Sequence, residues 1–170
     1  MLLVGGASTQ FGSAKALARF QGETLAERAW RVLGEACDER LAFGKRELSL
    51  PFPVLDDGIE RRAPIAGVVA GLRAAEHDVC VFLPVDVPCA TPELVRELGE
   101  ACRESAVPQG TALPGAFSRN VLPLLERRLA AGELALRDAL TELDTAVVEL
   151  DARRLVNINT PEELQRAAAT

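Results

Sequence analysis

Leu3-Val4-Gly5-Gly6-Ala7-Ser8-Thr9-Gln10-Phe11-Gly12-Ser13-Ala14-Lys15 is the segment of this chain that carries the most chemistry. Three glycines and small hydroxyl residues separate an apolar run from an amphipathic segment, and a lysine closes the stretch. Such a loop exposes several backbone N–H groups with no side chains in the way, and the lysine adds a mobile positive charge. Polyphosphates are held by that combination. The spacing departs from two commoner phosphate loops. Gly12 is followed by Ser with the lysine three residues on, unlike G-x-x-x-x-G-K-[ST], and Gly5 and Gly6 are adjacent, unlike G-x-G-x-x-G. Taken alone, the loop is equally compatible with a tight turn and nothing more.

The 170 residues, 48% of them hydrophobic, suit a single domain (1–170) with a sizeable core. No apolar run reaches the roughly 18 residues that span a bilayer, and Met1 to Val4 is too short for a signal peptide. A cytoplasmic chain with no membrane partner is expected. A net charge of −6 argues against a nucleic-acid partner. An anionic ligand then needs local positive features: Lys15, a helix N-terminus or a metal ion. Cys37, Cys80, Cys89 and Cys102 form no C-x-x-C pair, and His77 fits no metal-ligand spacing. Buried, reduced thiols and a solvated His77 are the expectation.

Short apolar runs alternate with amphipathic segments, which predicts an α/β layer fold with a mainly parallel sheet. Leu2–Val4 reads as the first strand. Thr24 to Glu27 is a capping box opening a helix whose apolar face is Leu25, Ala29, Leu33 and Ala36. Leu41–Phe43 reads as a short strand, and Asp56-Asp57-Gly58 as a turn. Pro64 suits the first turn of a helix running to about Ala75. Gly67 and Gly71 share a face of it, either for close packing on the sheet or, at Gly67, to let a ligand approach the backbone.

Val79–Leu83 reads as a central parallel strand buried on both faces. It ends in Pro84-Val85-Asp86-Val87-Pro88, so Asp86 falls where open α/β sheets bind ligands. The flanking prolines stiffen the backbone around it, and a carboxylate held there suits a divalent cation better than a simple turn role. Further helices are expected from Thr91-Pro92, over about Asn120 to Ala131 closed by Gly132, and over Leu134–Leu143. A late edge strand is expected at Ala146–Leu150, and Thr160 to Glu163 is a second capping box. Asn157 and Asn159 point to one side of an extended segment, either to grip a polar ligand or in a structural role.

Together these pieces resemble the molybdenum-cofactor guanylyltransferases, the MobA-like nucleotidyltransferase family. Its L-x-G-G-x-S-x-R-M-G-x-x-K signature is matched by Leu3, Gly5, Gly6, Ser8, Gly12 and Lys15. Its other elements look like Pro64–Gly67, Pro84–Pro88 and Asn157–Leu164, in the same order and at similar separations. The resemblance implies a three-layer, Rossmann-like nucleotidyltransferase fold that binds GTP and molybdopterin, with Mg²⁺ as cofactor. GMP would pass to the terminal phosphate of molybdenum-molybdopterin, releasing pyrophosphate. It further implies that Leu3, Val4, Gly5, Gly6, Ser8, Gly12, Lys15, Asp56 and Asp86 meet the nucleotide. Lys15 and Asp86 would be catalytic, with the metal on Asp86. Gly67, Asn157 and Asn159 would face the pterin phosphate, and a monomer is the default.

Departures leave alternatives open. Asp57 competes with Asp56, and Arg119 is either a phosphate partner or, preferably, a solvated helix-start residue. Gln10 and Phe11 stand where the family has Arg and Met, and Gln lacks the cationic fork of Arg. Cytidylyl transfer, or a catalytically impaired nucleotide-binding homologue, is the alternative. Only four residues precede Gly5, which suggests a truncated or misassigned start.

Overall fold

The structure is a computed structural model, which describes residues 1–4, 15–44, 48–56, 58 and 63–168. In chain order the described elements are β1 (Leu2–Leu3), β2 (Arg19–Phe20), β3 (Glu23–Thr24), α1 (Leu25–Ala36), β4 (Ala42–Phe43), α2 (Pro64–Ala74) and β5 (Val79–Pro84). There follow α3 (Pro92–Ala101), β6 (Ser105–Pro108), β7 (Gly115–Ser118), α4 (Leu122–Ala131), α5 (Leu136–Leu140), β8 (Thr145–Val148) and α6 (Pro161–Ala168).

Six of these strands form one sheet in the order β4-β1-β5-β7-β6-β8. β1 runs parallel to β4 and β5, β6 runs parallel to β8, and β7 is antiparallel to both of its neighbours. Side chains alternate between the faces, as the two-residue period of a strand demands. Leu2, Val81 and Leu83 join α1, α3 and Leu164 of α6 in one core. Leu3, Cys80 and Phe82 join α2, α4 and α5 in the other. The result is a three-layer α/β/α sandwich, as expected.

The helices begin where the sequence signals them. Thr24 Oγ1 accepts from Glu27 N–H at 3.1 Å while Glu27 Oε2 accepts from Thr24 N–H at 2.9 Å, closing the capping box of α1. Thr91 caps α3, and Gly132 ends α4 with the left-handed φ of 78° that glycine adopts without strain. The structure departs from expectation elsewhere. β5 is parallel only to β1, and its other neighbour is the antiparallel β7. The helix expected over Leu134–Leu143 is confined to Leu136–Leu140. β6 and β7 carry little strand signal in the sequence, because Ser, Ala, Gly and Pro dominate them. Their pairing comes from tertiary partners, including Ser105 Oγ against Thr145 Oγ1 at 2.7 Å. Arg19–Thr24 form an unexpected hairpin, turned by Gln21 and Gly22, both at positive φ.

The two glycines of α2 resolve toward packing. A Cβ at Gly67 would stand 2.8 Å from Leu3 Cδ2, and one at Gly71 would stand 2.4 Å from Phe82 Cε1. The helix therefore seats directly on β1 and β5. Gly71→Ala is expected to destabilise the fold by about 1–3 kcal/mol through overpacking against Phe82, outweighing the roughly 1 kcal/mol helix-propensity gain. At Gly99 a Cβ meets Val81 Cγ2 only at 3.5 Å, so Gly99→Ala is expected to raise stability. Urea midpoints of the two variants, moving in opposite directions, check this.

Candidate functional site

The chain leaves β1, crosses through α1 to β4 on one side, and returns through α2 to β5 on the other side of β1. Strand order reverses at β1, and a crevice opens outside the carboxyl ends of the strands at such a point. Asp86 stands just past the end of β5, in a turn closed by Val87 N–H to Pro84 C=O at 3.4 Å. Arg28 of α1 holds that turn, donating from Nε to Pro88 C=O at 2.6 Å, with its guanidinium carbon 5.1 Å above Phe20.

Lys15 opens a short 3₁₀ turn, Lys15–Leu17, tied to the hairpin and α1. Lys15 C=O accepts from Ala18 N–H at 3.0 Å, and Ala18 C=O accepts from Leu25 N–H at 2.9 Å. The side chain is 10% exposed and runs to Asp86, whose side chain is 24% exposed, with Nζ 3.5 Å from Oδ2. Nζ also donates to Asn159 Oδ1 at 3.0 Å. Positions 15, 86 and 159 thus meet at one place. Asp86 Oδ1 is buried and has no hydrogen-bond partner among the described residues.

An unpartnered buried carboxylate oxygen is costly unless something binds it, and a hard oxygen donor fits a divalent cation. Among the described residues no group of three or more His, Cys, Asp or Glu could hold a metal. Mg²⁺ ordinarily takes one or two carboxylates and completes its shell with water and substrate phosphates.

The other described candidates have separate contacts of their own. Leu3 C=O accepts from Val85 N–H at 3.2 Å, and Val4 N–H donates to Phe43 C=O at 2.8 Å, so these two groups serve the sheet. Leu55 bridges Phe43 in parallel, which sets Asp56 at the carboxyl end of β4, its Oδ1 accepting from Gly58 N–H at 2.9 Å. Gly67 is buried beneath Leu3. Asn157 and Asn159 are both exposed, with the buried Ile158 between them. Gly5, Gly6, Ser8, Gln10, Phe11, Gly12 and Asp57 lie outside the described residues. Arg119 lies away from this centre, at the other end of β5, with its N–H donating to Asp78 C=O at 2.8 Å.

Two residues of the site were not legible as such. Arg28 is 60 positions from Pro88, and no spacing links them. By spacing Glu163 is only half of a capping box, yet its Oε2 also accepts from Asn159 N–H at 2.6 Å. The four cysteines are free. Burial pushes the Cys37 and Cys80 thiols up, and Cys102 to about 11, which disfavours thiolate chemistry. A cavity of about 470 Å³ opens at the amino ends of β1 and β5, beside Met1, Cys37, His77 and Cys80, at the end of β5 opposite Asp86. Among the described residues no helix is long and apolar enough to cross a membrane.

Residues 1–147 match the MobA-like NTP transferase domain. The chain is 34% identical over 182 residues to a molybdenum cofactor guanylyltransferase of Pseudomonas putida, covering 97% of this chain and 94% of that one. It is 29% identical over 192 residues to a probable molybdenum cofactor guanylyltransferase of Chloroflexus aggregans, covering 99% and 92%. The crystal structure of molybdopterin-guanine dinucleotide biosynthesis protein A from Archaeoglobus fulgidus superposes with a TM-score of 0.78 at 22% identity, covering 99% of this chain and 95% of that one. The sandwich with its reversal at β1 is thus a Rossmann-like nucleotidyltransferase fold, and the chain belongs to the MobA-like family of nucleotidyltransferases.

Proposed function

We propose that the protein transfers GMP from GTP to the terminal phosphate of molybdenum-carrying molybdopterin, with Mg²⁺ held by Asp86. The observation that carries this reading is the pairing of a buried ammonium, Lys15, with a carboxylate that keeps one buried oxygen unpartnered, at the carboxyl end of β5. In the reaction an oxygen of the acceptor phosphate forms a bond to the α-phosphorus of GTP. The bond from that phosphorus to the bridging oxygen breaks, and pyrophosphate leaves.

The protein supplies position and charge, with no covalent intermediate. Lys15, one of two lysines in the chain, brings a positive charge that offsets part of the charge of the phosphates. Asp86 offers Oδ1 to the cation, held by a turn that Pro84, Pro88 and Arg28 keep stiff. When bound, Mg²⁺ would neutralise phosphate charge and polarise the oxygens around the α-phosphorus. Asp56 and the Gly5–Gly12 loop are assigned to the nucleotide, and Asn157 and Asn159 to the acceptor side, whereas Gly67 is taken up by packing under Leu3. The guanine preference follows the names of the curated relatives, which are guanylyltransferases.

Pyrophosphate release from GTP, Mg²⁺ and molybdopterin is the direct test. Lys15→Ala and Asp86→Asn are each expected to lower kcat/KM by about 10²- to 10³-fold, the size seen when one electrostatic stabiliser is removed. Unimpaired turnover in both variants would refute the assignment.

Calorimetric titration with GTP, CTP, ATP and UTP in Mg²⁺ tests the base. GTP is expected to bind tightest, and a clear preference for CTP would replace the guanylyl reading with the cytidylyl one.

A further inference from the structure

Lys15 donates to Asp86 through a long contact. An ammonium and a carboxylate in a formed ion pair approach to about 2.7–2.9 Å, whereas Nζ and Oδ2 are 3.5 Å apart. Of these two contacts the shorter is the 3.0 Å bond to Asn159 Oδ1. A neutral amide is therefore the better-made partner of a buried cation, with an anion next to it.

The backbone that carries the amide is held from two directions. Asn159 N–H donates to Glu163 Oε2 at 2.6 Å, which ties it to the first turn of α6. Ile158 N–H donates to Asp86 C=O at 2.8 Å, which ties the preceding residue to the turn that carries the carboxylate. The backbones of Asn159 and Asp86 are thereby linked, and the ammonium of Lys15 contacts both side chains.

We propose that Asn159 is a positioning residue for Lys15: it holds the ammonium off Asp86, so that a divalent cation can take the carboxylate while the lysine stays in the site. The proposal rests on the reading above only in giving Asp86 a cation. A cation arriving at Asp86 repels the ammonium and must displace it. With Asn159 in place the lysine already has an acceptor, and one that carries no charge and so leaves its positive charge available to phosphate. Without it the ammonium closes on Asp86 and competes directly with the metal. This role differs from acceptor binding, because it acts before any pterin phosphate is present.

The test is a double-mutant cycle read by Mn²⁺ binding to the whole chain, followed by electron paramagnetic resonance with neither nucleotide nor acceptor present. Mn²⁺ shares the oxygen preference of Mg²⁺. Asn159→Ala is expected to weaken Mn²⁺ binding about tenfold, a coupling within the range for residues in contact. Lys15→Met is expected to tighten it, and Asn159→Ala added to Lys15→Met is expected to change nothing further.

Equal Mn²⁺ affinity in wild type and Asn159→Ala overturns the proposal. So does a loss that persists in the Lys15→Met background, since the effect would then run through the segment and not through the ammonium. Wild type that binds no Mn²⁺ overturns it together with the cation role of Asp86. If instead the cycle behaves as expected and GTP-dependent pyrophosphate release is absent, the proposed reaction fails and the positioning role stands.

Discussion

One main-chain hydrogen bond, from Ile158 N–H to Asp86 C=O, joins the late extended segment to the turn beyond the strand β5. Its consequence is larger than its energy, which for a bond of this kind is only about 1 kcal/mol net. It brings Asn159 to within 3.0 Å of Lys15, a residue 144 positions earlier. Through that bond the carboxylate, the lysine and the amide share one frame. Glu163, capping α6, supports the same segment from the other side.

That frame explains how a lysine can be almost fully buried in a chain of net charge −6. An isolated ammonium taken from water is expensive, and it is tolerated only with partners that offset the loss of hydration. Lys15 has the amide of Asn159 and the neighbouring carboxylate of Asp86. Asp86 is not served as fully, since its second oxygen has no hydrogen-bond partner among the described residues. Local stability is thus lower than the packing around it would permit. The same imbalance is what makes the place suited to a cation with phosphates attached.

The sheet supplies the rest. β1 lies between β4 and β5 and runs parallel to both, so the carboxyl ends of β1 and β5 lie side by side. Gly67 and Gly71 let α2 sit against Leu3 and Phe82, which fixes those two strands from one face. Leu25, Ala29 and Leu33 of α1 fix them from the other. The Arg19–Thr24 hairpin then sets the direction in which the chain enters α1, and with it the location of the Lys15 turn.

Local chemistry determined much of this in advance. The capping boxes at Thr24 and Thr160, the glycine that ends α4, the prolines around Asp86 and the apolar run of β5 act over a few residues, and each was legible from spacing alone. What needed the tertiary structure was whatever depends on partners distant in sequence. β6 and β7 have little strand propensity, and only their neighbours make them strands. Spacing left Gly67 undecided between packing and ligand approach, and the 2.8 Å approach to Leu3 gives it a packing role. It also left Asn157 and Asn159 equivalent, and only the bond from Lys15 sets Asn159 apart. Capping and turn chemistry is written in neighbouring residues, whereas a charged site assembled from positions 15, 86 and 159 exists only once the sheet has brought them together.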